Sequence, residues 1–246
     1  MTPCRRPDTL HYRVLFQLQF LWRRARRILA DDPATALTVV RGGRGIHTWA
    51  PLVFLIAGAS AYGAAMGAWR DPKLAGYVAI KLPMLLVATA LVDAVANGLW
   101  ARRLGSRIGL GESCRAVLMA FALAAVVLGS FAPVLFFLAR SLPGPEVAEA
   151  RTAHDALGLA HVAVIALAGC LAVARQSHWL ATLDGRASTA TRVVATWLGL
   201  NLVVGAQISW NLRPWFGTPG LPVTFLRADP FDGTFYESVF RMLGNT

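Results

Sequence analysis

Residues 77–100, YVAIKLPMLLVATALVDAVANGLW, form an almost unbroken apolar run. About 20 helical residues cross a hydrocarbon core, so this run is long enough to span a membrane. Tyr77 and Trp100 stand at its ends, where interfacial aromatic residues are expected. The sequence therefore predicts an all-α, polytopic membrane helix bundle with five transmembrane helices. The other four apolar runs lie at residues 49–69, 114–139, 155–174 and 191–212.

The composition supports lipid as the surroundings of the chain. Of its 246 residues, 56% are hydrophobic and only 15% are charged, whereas soluble domains carry about 25% charged residues. The formal net charge is +11, but the arginines bracket the apolar runs, which favours membrane orientation over nucleic-acid binding. We predict no nucleic-acid partner. The cysteines Cys4, Cys114 and Cys170 show neither metal-ligand spacing nor a disulfide framework.

The distribution of basic residues predicts the orientation of the chain. Sixteen arginines lie before the first run and around the loops after the second and fourth runs, against seven basic residues on the other side. The richer side is expected to be cytoplasmic. The amino terminus is therefore predicted inside and the carboxyl terminus outside, periplasmic or extracellular. The use of arginine in place of lysine is typical of a GC-rich genome, and we predict a bacterial inner (cytoplasmic) membrane.

Residues 1–48 form the predicted cytoplasmic segment, in which residues 10–29 are predicted to be a basic amphipathic helix. Its basic face is predicted to lie on anionic lipid headgroups; packing on a cytoplasmic partner is the alternative. A second short helix is predicted to begin at Pro33, with Asp32 as its cap. The predicted membrane-surface residues are Arg13, Arg23, Arg24, Arg26 and Arg27.

Residues 213–246 follow the transmembrane domain of residues 49–212 and cannot form a sixth span, because four prolines interrupt them. They also hold too many aromatic residues for a solvated linker. We predict a folded cap on the non-cytoplasmic side, which lies on the membrane face or on a neighbouring protein, with a short interfacial helix at residues 235–243. Aromatic residues and arginine are enriched at protein interfaces. The predicted partner-binding residues are Arg213, Trp215, Phe216, Phe225 and Arg227.

An intramembrane polar cluster is predicted around Asp93, a carboxylate deep in the second run. Such a group costs about 2.5–3.5 kcal/mol on insertion scales. Thr89 and Asn97 lie one turn away on the same helix face, and Asn201 and Gln207 of the fifth run are the predicted partners. Interhelical hydrogen bonding is the favoured interpretation, and a proton or ion site is the alternative.

The first run carries a pattern of small residues. Gly58, Tyr62 and Met66 fall on one stripe, and Gly63 and Gly67 form a pair of small residues four positions apart. Helices approach each other closely along such faces. The pattern predicts that the spans pack together, without indicating a function.

The sequence has no Walker loop, no HExxH motif and no nucleophile elbow, and no catalytic residue is predicted. No metal and no cofactor are predicted apart from bound lipids. The alternative is a haem or pigment contact through His161. Two groups without recognisable spacing are the candidates for a lipid-acting enzyme: Arg151, His154 and Asp155 outside, and His178 with Asp184 inside.

Three stretches resemble the Ypt-interacting protein (Yip-type) family of five-span membrane proteins: DDPATAL at 31–37, WAPLVFLIAG at 49–58, and RRLGSRIGLGESCRAVLMAFALAAVVLGSFAPVL at 102–135. As in bacterial members, a glycine-containing loop leads into a span that ends near a proline, here Pro133. The resemblance covers about residues 27–212 and implies an inside amino terminus and an outside carboxyl terminus. It supplies no catalytic residue, and the cap lies outside it.

The leading hypothesis is a non-catalytic integral membrane subunit. It would form a hetero-oligomer with other integral membrane proteins, scaffold or cap a larger complex, or organise lipid around it. The second hypothesis is a small transporter or proton-coupled channel that uses Asp93. The third is a membrane-embedded enzyme that acts on lipid.

Overall fold

The computed structural model describes residues 33–42, 49–103, 109–184, 187–217 and 221–237. Within these ranges the regular secondary structure is entirely helical, and five helices are long and apolar enough to cross a membrane. The predicted all-α bundle with five candidate spans is confirmed. The helices are α1 (Pro33–Val40), α2 (Ala50–Gly67), α3 (Pro72–Arg103), α4 (Leu110–Ser141), α5 (Ala150–Asp184) and α6 (Ala187–Asn211).

Three of these helices run beyond the apolar stretches that predicted them. α3 and α4 have 32 residues each and α5 has 35. The polar residues at their ends continue the same helix, because backbone hydrogen bonding does not stop where the apolar composition stops. Pro83 lies inside α3 and Pro133 inside α4, as prolines do in membrane helices whose neighbours satisfy the freed backbone groups.

The short helix α1 begins at Pro33, as the sequence predicts. It packs against α4 and α5. Arg115 at the start of α4 donates from Nε to the carbonyl oxygen of Val40 at 2.6 Å, which satisfies an acceptor at the end of α1. The predicted amphipathic helix at residues 10–29, its five arginines and the Asp32 cap lie outside the described residues.

Helix α2 packs closely on both α3 and α4 through glycine. A Cβ atom on Gly58 would clash with the backbone of Ala125 in α4, and one on Gly63 would clash with the carbonyl of Val78 in α3. A Cβ on Gly129 would likewise lie 2.9 Å from the Cα of Gly58. The close helix packing predicted from the small residues of the first run is confirmed.

The short connections α2–α3 and α4–α5 meet at one end of the bundle, which we call the tail end. Trp69 donates from Nε1 to the carbonyl of Pro143 at 3.0 Å. Arg70 contributes a guanidinium nitrogen to an ion pair with Glu146 at 3.2 Å. The opposite end of the bundle holds α1, the carboxyl ends of α3 and α5 and the start of α4, and we call it the α1 end.

Residues 213–217 and 221–237 cover the tail end, and we call them the cap. Trp215, Phe216 and Val223 pack against an apolar cluster that α2, α3, α4 and α5 form. Further along, Tyr236 donates its hydroxyl to the carbonyl of Val203 at 2.6 Å, so the chain returns along α6. A helical turn begins at Phe235, where the interfacial helix is predicted, and the rest of that helix lies outside the described residues.

Candidate functional sites beneath the cap and inside the bundle

Lys81 of α3 is fully buried beneath the cap, with 0% of its surface exposed. Its ammonium donates to the carbonyl of Pro214 at 3.0 Å and lies 5.1 Å from the ring centre of Phe225. Phe225 also meets Tyr77 edge to face at 5.3 Å. Helical side chains lean toward the helix amino terminus, which for α3 is the tail end. The ammonium therefore extends from inside the bundle toward the cap.

Tyr62 of α2 and His161 of α5 form a second buried pair under the cap. The Tyr62 hydroxyl lies 2.8 Å from His161 Nδ1, and the two rings meet edge to face. Phe216 of the cap lies 5.1 Å from the imidazole. His161 Nε2 is buried and has no hydrogen-bond partner among the described residues. When the hydroxyl donates to Nδ1, a neutral imidazole carries its hydrogen on Nε2, which then lacks an acceptor.

The aromatic residues predicted to bind a partner are partly buried within the protein itself. Trp215 donates from Nε1 to the carbonyl of Ser209 at 3.0 Å, and Trp215 and Phe216 pack on the bundle. Phe225 contacts Tyr77 and Lys81 as described above. These three residues attach the cap to the helices, whatever else they contact.

The two arginines of that predicted set lie close to each other. Arg213 donates from Nε to the carbonyl of Trp210 at 2.9 Å, and Arg227 is exposed. Burial, and then the positive charge of Arg227, hold the pKa of Arg213 below its usual value. The base of the cap therefore concentrates positive charge.

The structure brings together part of the predicted polar cluster. Thr89 and Asp93 are both buried in α3, and Thr89 donates to the carbonyl of Leu85 at 2.8 Å. A Cβ atom on Gly205 of α6 would lie 3.7 Å from the side-chain oxygen of Asn201 and 3.9 Å from the Thr89 hydroxyl. Thr89 and Asn201 therefore both lie beside Gly205, where α3 packs on α6.

Gln207, another member of the predicted cluster, makes its hydrogen bonds elsewhere. Gln207 donates to the side chain of Asn211 at 3.1 Å and accepts from the backbone N–H of Phe235 at 3.2 Å, so it holds the cap against α6. The side chain of Asn97 lies outside the described residues. Asp93 itself is 1% exposed, and its Oδ1 has no hydrogen-bond partner in the described part of the chain.

Other polar atoms near the α1 end are also buried without partners in the described ranges. They are the Ser113 hydroxyl at the start of α4 and Trp197 Nε1 in α6. Cys114, next to Ser113, lies with its sulfur 3.9 Å from the carbonyl of Ala94, the residue that follows Asp93. Three buried polar atoms toward this end of the bundle therefore lack a hydrogen-bond partner among the described residues: Asp93 Oδ1, Ser113 Oγ and Trp197 Nε1.

Of the residues proposed for lipid chemistry, the structure brings together His154 and Asp155. His154 and Asp155 lie 3.3 Å apart in an exposed ion-pair geometry, and the imidazole also contacts the rings of Trp69 and Phe216. His178 is exposed, and the side chain of Asp184 lies outside the described residues. Among the residues described, no group of three or more His, Cys, Asp or Glu side chains is placed to hold a metal ion.

Sequence reasoning missed Lys81, Tyr62 and Arg70 as site residues. Lys81 could have been found, because a lone lysine inside an apolar run is as costly as a lone aspartate. The Tyr62–His161 contact joins residues 99 positions apart, and no local pattern indicates such a pair.

The fold and these sites define a class, a polytopic α-helical membrane protein with five candidate spans and a cap over one end. No protein-family model, no curated protein and no solved structure matches the chain.

Proposed function

We propose that the chain is a non-catalytic integral membrane subunit of a bacterial inner membrane, which scaffolds or caps a larger membrane complex. The tail end is assigned to the periplasmic or extracellular side, on the strength of the arginine distribution. The Yip-type resemblance supports the same topology.

The cap is the observation that carries this proposal. Its inner surface is occupied by the bundle, through Lys81, Tyr77 and the apolar cluster around Phe216. Its outer surface exposes Leu221, Arg227 and Phe231, and Phe231 is 81% exposed. An ordered segment that presents an aromatic residue, an aliphatic residue and an arginine has the composition of a protein interface.

The first prediction concerns the outer surface of the cap. The tagged protein, extracted from its native membrane in mild detergent, is expected to migrate in native electrophoresis as a complex that contains a second integral membrane protein. Phe231→Ser is expected to weaken this complex at least tenfold, because an exposed aromatic anchor is removed from the interface. The chain's own fold should be unaffected, since Phe231 is exposed.

Val147→Ser is the matched control, because Val147 is an exposed apolar residue at the same end of the bundle but outside the cap. It is expected to leave the complex intact. Recovery of the wild-type protein as a lone monomer, or equal loss of the complex in both variants, would contradict the proposal.

The second candidate function is a small transporter or proton-coupled channel. It is favoured by Asp93, a carboxylate that is 1% exposed and has an oxygen without a partner among the described residues. Intramembrane ionisable residues commonly mark ion pathways. Lys81 is buried in the same helix, 12 positions earlier and about 18 Å away along the axis at 1.5 Å per residue. The effect of Asp93→Asn on ion flux and on unfolding separates this candidate from the first.

A further inference from the structure

Two buried nitrogen groups of the bundle contact the first residues of the cap. Lys81 donates to the carbonyl of Pro214, and the His161 ring lies 5.1 Å from the ring of Phe216. Pro214 and Phe216 are two positions apart in the chain. Because they are so near to each other, Lys81 and His161 approach the same short stretch of the cap from two different helices, α3 and α5.

Arg70 lies beside the same stretch. Its Cγ would be 3.0 Å from a Cβ atom on Gly217, and its Nη2 donates to the carbonyl of Leu221 at 3.2 Å. Gly217 has φ of +67°, and a Cβ there would also lie 2.9 Å from the side chain of Leu74. Only glycine lets the chain pass this close with that backbone conformation. Arg70, Lys81 and His161 thus contact residues 214–217, a stretch about 10 Å long between its end Cα atoms.

The donors of these three residues are only partly used. Arg70 Nε is buried and has no acceptor within the described ranges, and His161 Nε2 is buried there without any hydrogen-bond partner. The Lys81 ammonium has three donors and makes one hydrogen bond. A buried donor without an acceptor is destabilising, because its hydrogen bonds to water are lost and not replaced. The area under residues 214–217 therefore has an excess of hydrogen-bond donors over acceptors.

Neither of the two basic side chains in this area is paired with a buried carboxylate among the described residues. Among the described residues Lys81 forms no ion pair, and Arg70 pairs only with Glu146, whose side chain is 86% exposed. The acceptors that the cap supplies, the carbonyls of Pro214 and Leu221, are neutral. An oxyanion accepts hydrogen bonds from charged donors more strongly than a carbonyl does.

The surroundings of Lys81 suit an acyl chain. Ile80 and Met84 flank it on α3, and both are exposed on the outside of the bundle. Lysine side chains extend along apolar surface toward the headgroup layer, and Lys81 extends toward the tail end. A lipid whose acyl chain lies on Ile80 and Met84 would place its headgroup near the Lys81 ammonium.

We propose that Lys81, His161 and Arg70 form a site for a phosphate oxyanion, carried by the headgroup of an anionic lipid in the leaflet at the tail end. The phosphate oxygens take the place of the Pro214 carbonyl on Lys81, and the first residues of the cap move aside. The headgroup also supplies the acceptor that Arg70 Nε lacks, and it gives His161 Nε2 a partner when the imidazole carries its hydrogen on that nitrogen. This site goes beyond the proposed scaffold function and does not require the cap to bind a partner protein.

The test uses phosphatidylglycerol as the probe and the full-length chain in detergent micelles, with lipid binding measured by native mass spectrometry during titration. The wild type is expected to retain one phosphatidylglycerol, and Lys81→Met is expected to bind it at least tenfold more weakly. Lys73→Met is the matched control. Lys73 is the chain's other lysine, lies on the same helix and is exposed, and its replacement should leave binding at the wild-type level.

Two further variants keep the test decisive if Lys81→Met fails to fold. Lys81→Arg retains the charge and is expected to retain the lipid. His161→Phe keeps a ring beneath Phe216, removes the unpartnered imidazole nitrogen and is expected to weaken binding at least threefold. Equal binding by Lys73→Met, Lys81→Met and His161→Phe overturns the site. Displacement of the lipid by an equal concentration of glycerol phosphate overturns its assignment to lipid and assigns it to soluble phosphate esters.

Discussion

At the scale of single residues, Lys81 and Asp93 are the two charged side chains buried among the described residues, and both belong to α3. The sequence predicts Asp93 as a polar site because a carboxylate inside an apolar run is costly, and predicts that Thr89 shares its face because they are one turn apart. It does not predict that Gln207 accepts a hydrogen bond from the backbone of Phe235 in the cap. That contact spans 28 residues, and helix periodicity carries no information about it.

Asp93→Asn tests the role of the buried carboxylate. The scaffold function predicts that wild-type proteoliposomes show no proton or sodium flux. It also predicts that the free energy of unfolding of the variant is higher by about 1 kcal/mol, because a charge with an unpartnered oxygen is removed. The variant is therefore expected to unfold at a slightly higher temperature. Asp155→Asn, at an exposed aspartate of α5, is the control for unfolding. Flux in the wild type that disappears in Asp93→Asn, with unchanged folding, would favour the transporter.

At the scale of helices, the apolar runs predict where each span lies, and the small residues of the first run predict that α2 packs closely. The sequence does not indicate which helices α2 approaches. That assignment depends on the clash between any Cβ at Gly58 and the backbone of Ala125, and on the similar contact of Gly63 with Val78. The ends of α3, α4 and α5 are also not predicted, since polar residues continue the helices past the membrane.

Gly58→Ala tests the closest helix contact. The added methyl group has no space against α4, and overpacking of this kind costs about 1–3 kcal/mol. Gly169→Ala in α5 is the matched control, because a Cβ there meets nothing within 4 Å. It is expected to be neutral or to stabilise by up to about 1 kcal/mol. Thermal unfolding in detergent measures both; a Gly58→Ala variant as stable as Gly169→Ala would contradict the close contact.

At the scale of the whole molecule, the cap and α1 lie at opposite ends of the bundle that contains the five candidate spans. The cap is attached to one end by hydrogen bonds from Arg70 and Lys81 and by the packing of Phe216 on the apolar cluster. Helix α1 is attached to the other end by the hydrogen bond from Arg115. The cap itself was predictable from its prolines and aromatic residues. Its contacts with Lys81 and Arg70 were not, because they join residues more than 100 positions apart.

Membrane topology is the central claim, and cysteine accessibility measures it most directly. Cys4, Cys114 and Cys170 are replaced by serine, and a new cysteine is introduced as Phe231→Cys in the cap or as Arg41→Cys after α1; both positions are exposed. A membrane-impermeant maleimide is expected to label Phe231→Cys in intact spheroplasts and Arg41→Cys only in inverted vesicles. Labelling of both positions from the same side would contradict the five-span arrangement and the cap on the outer face.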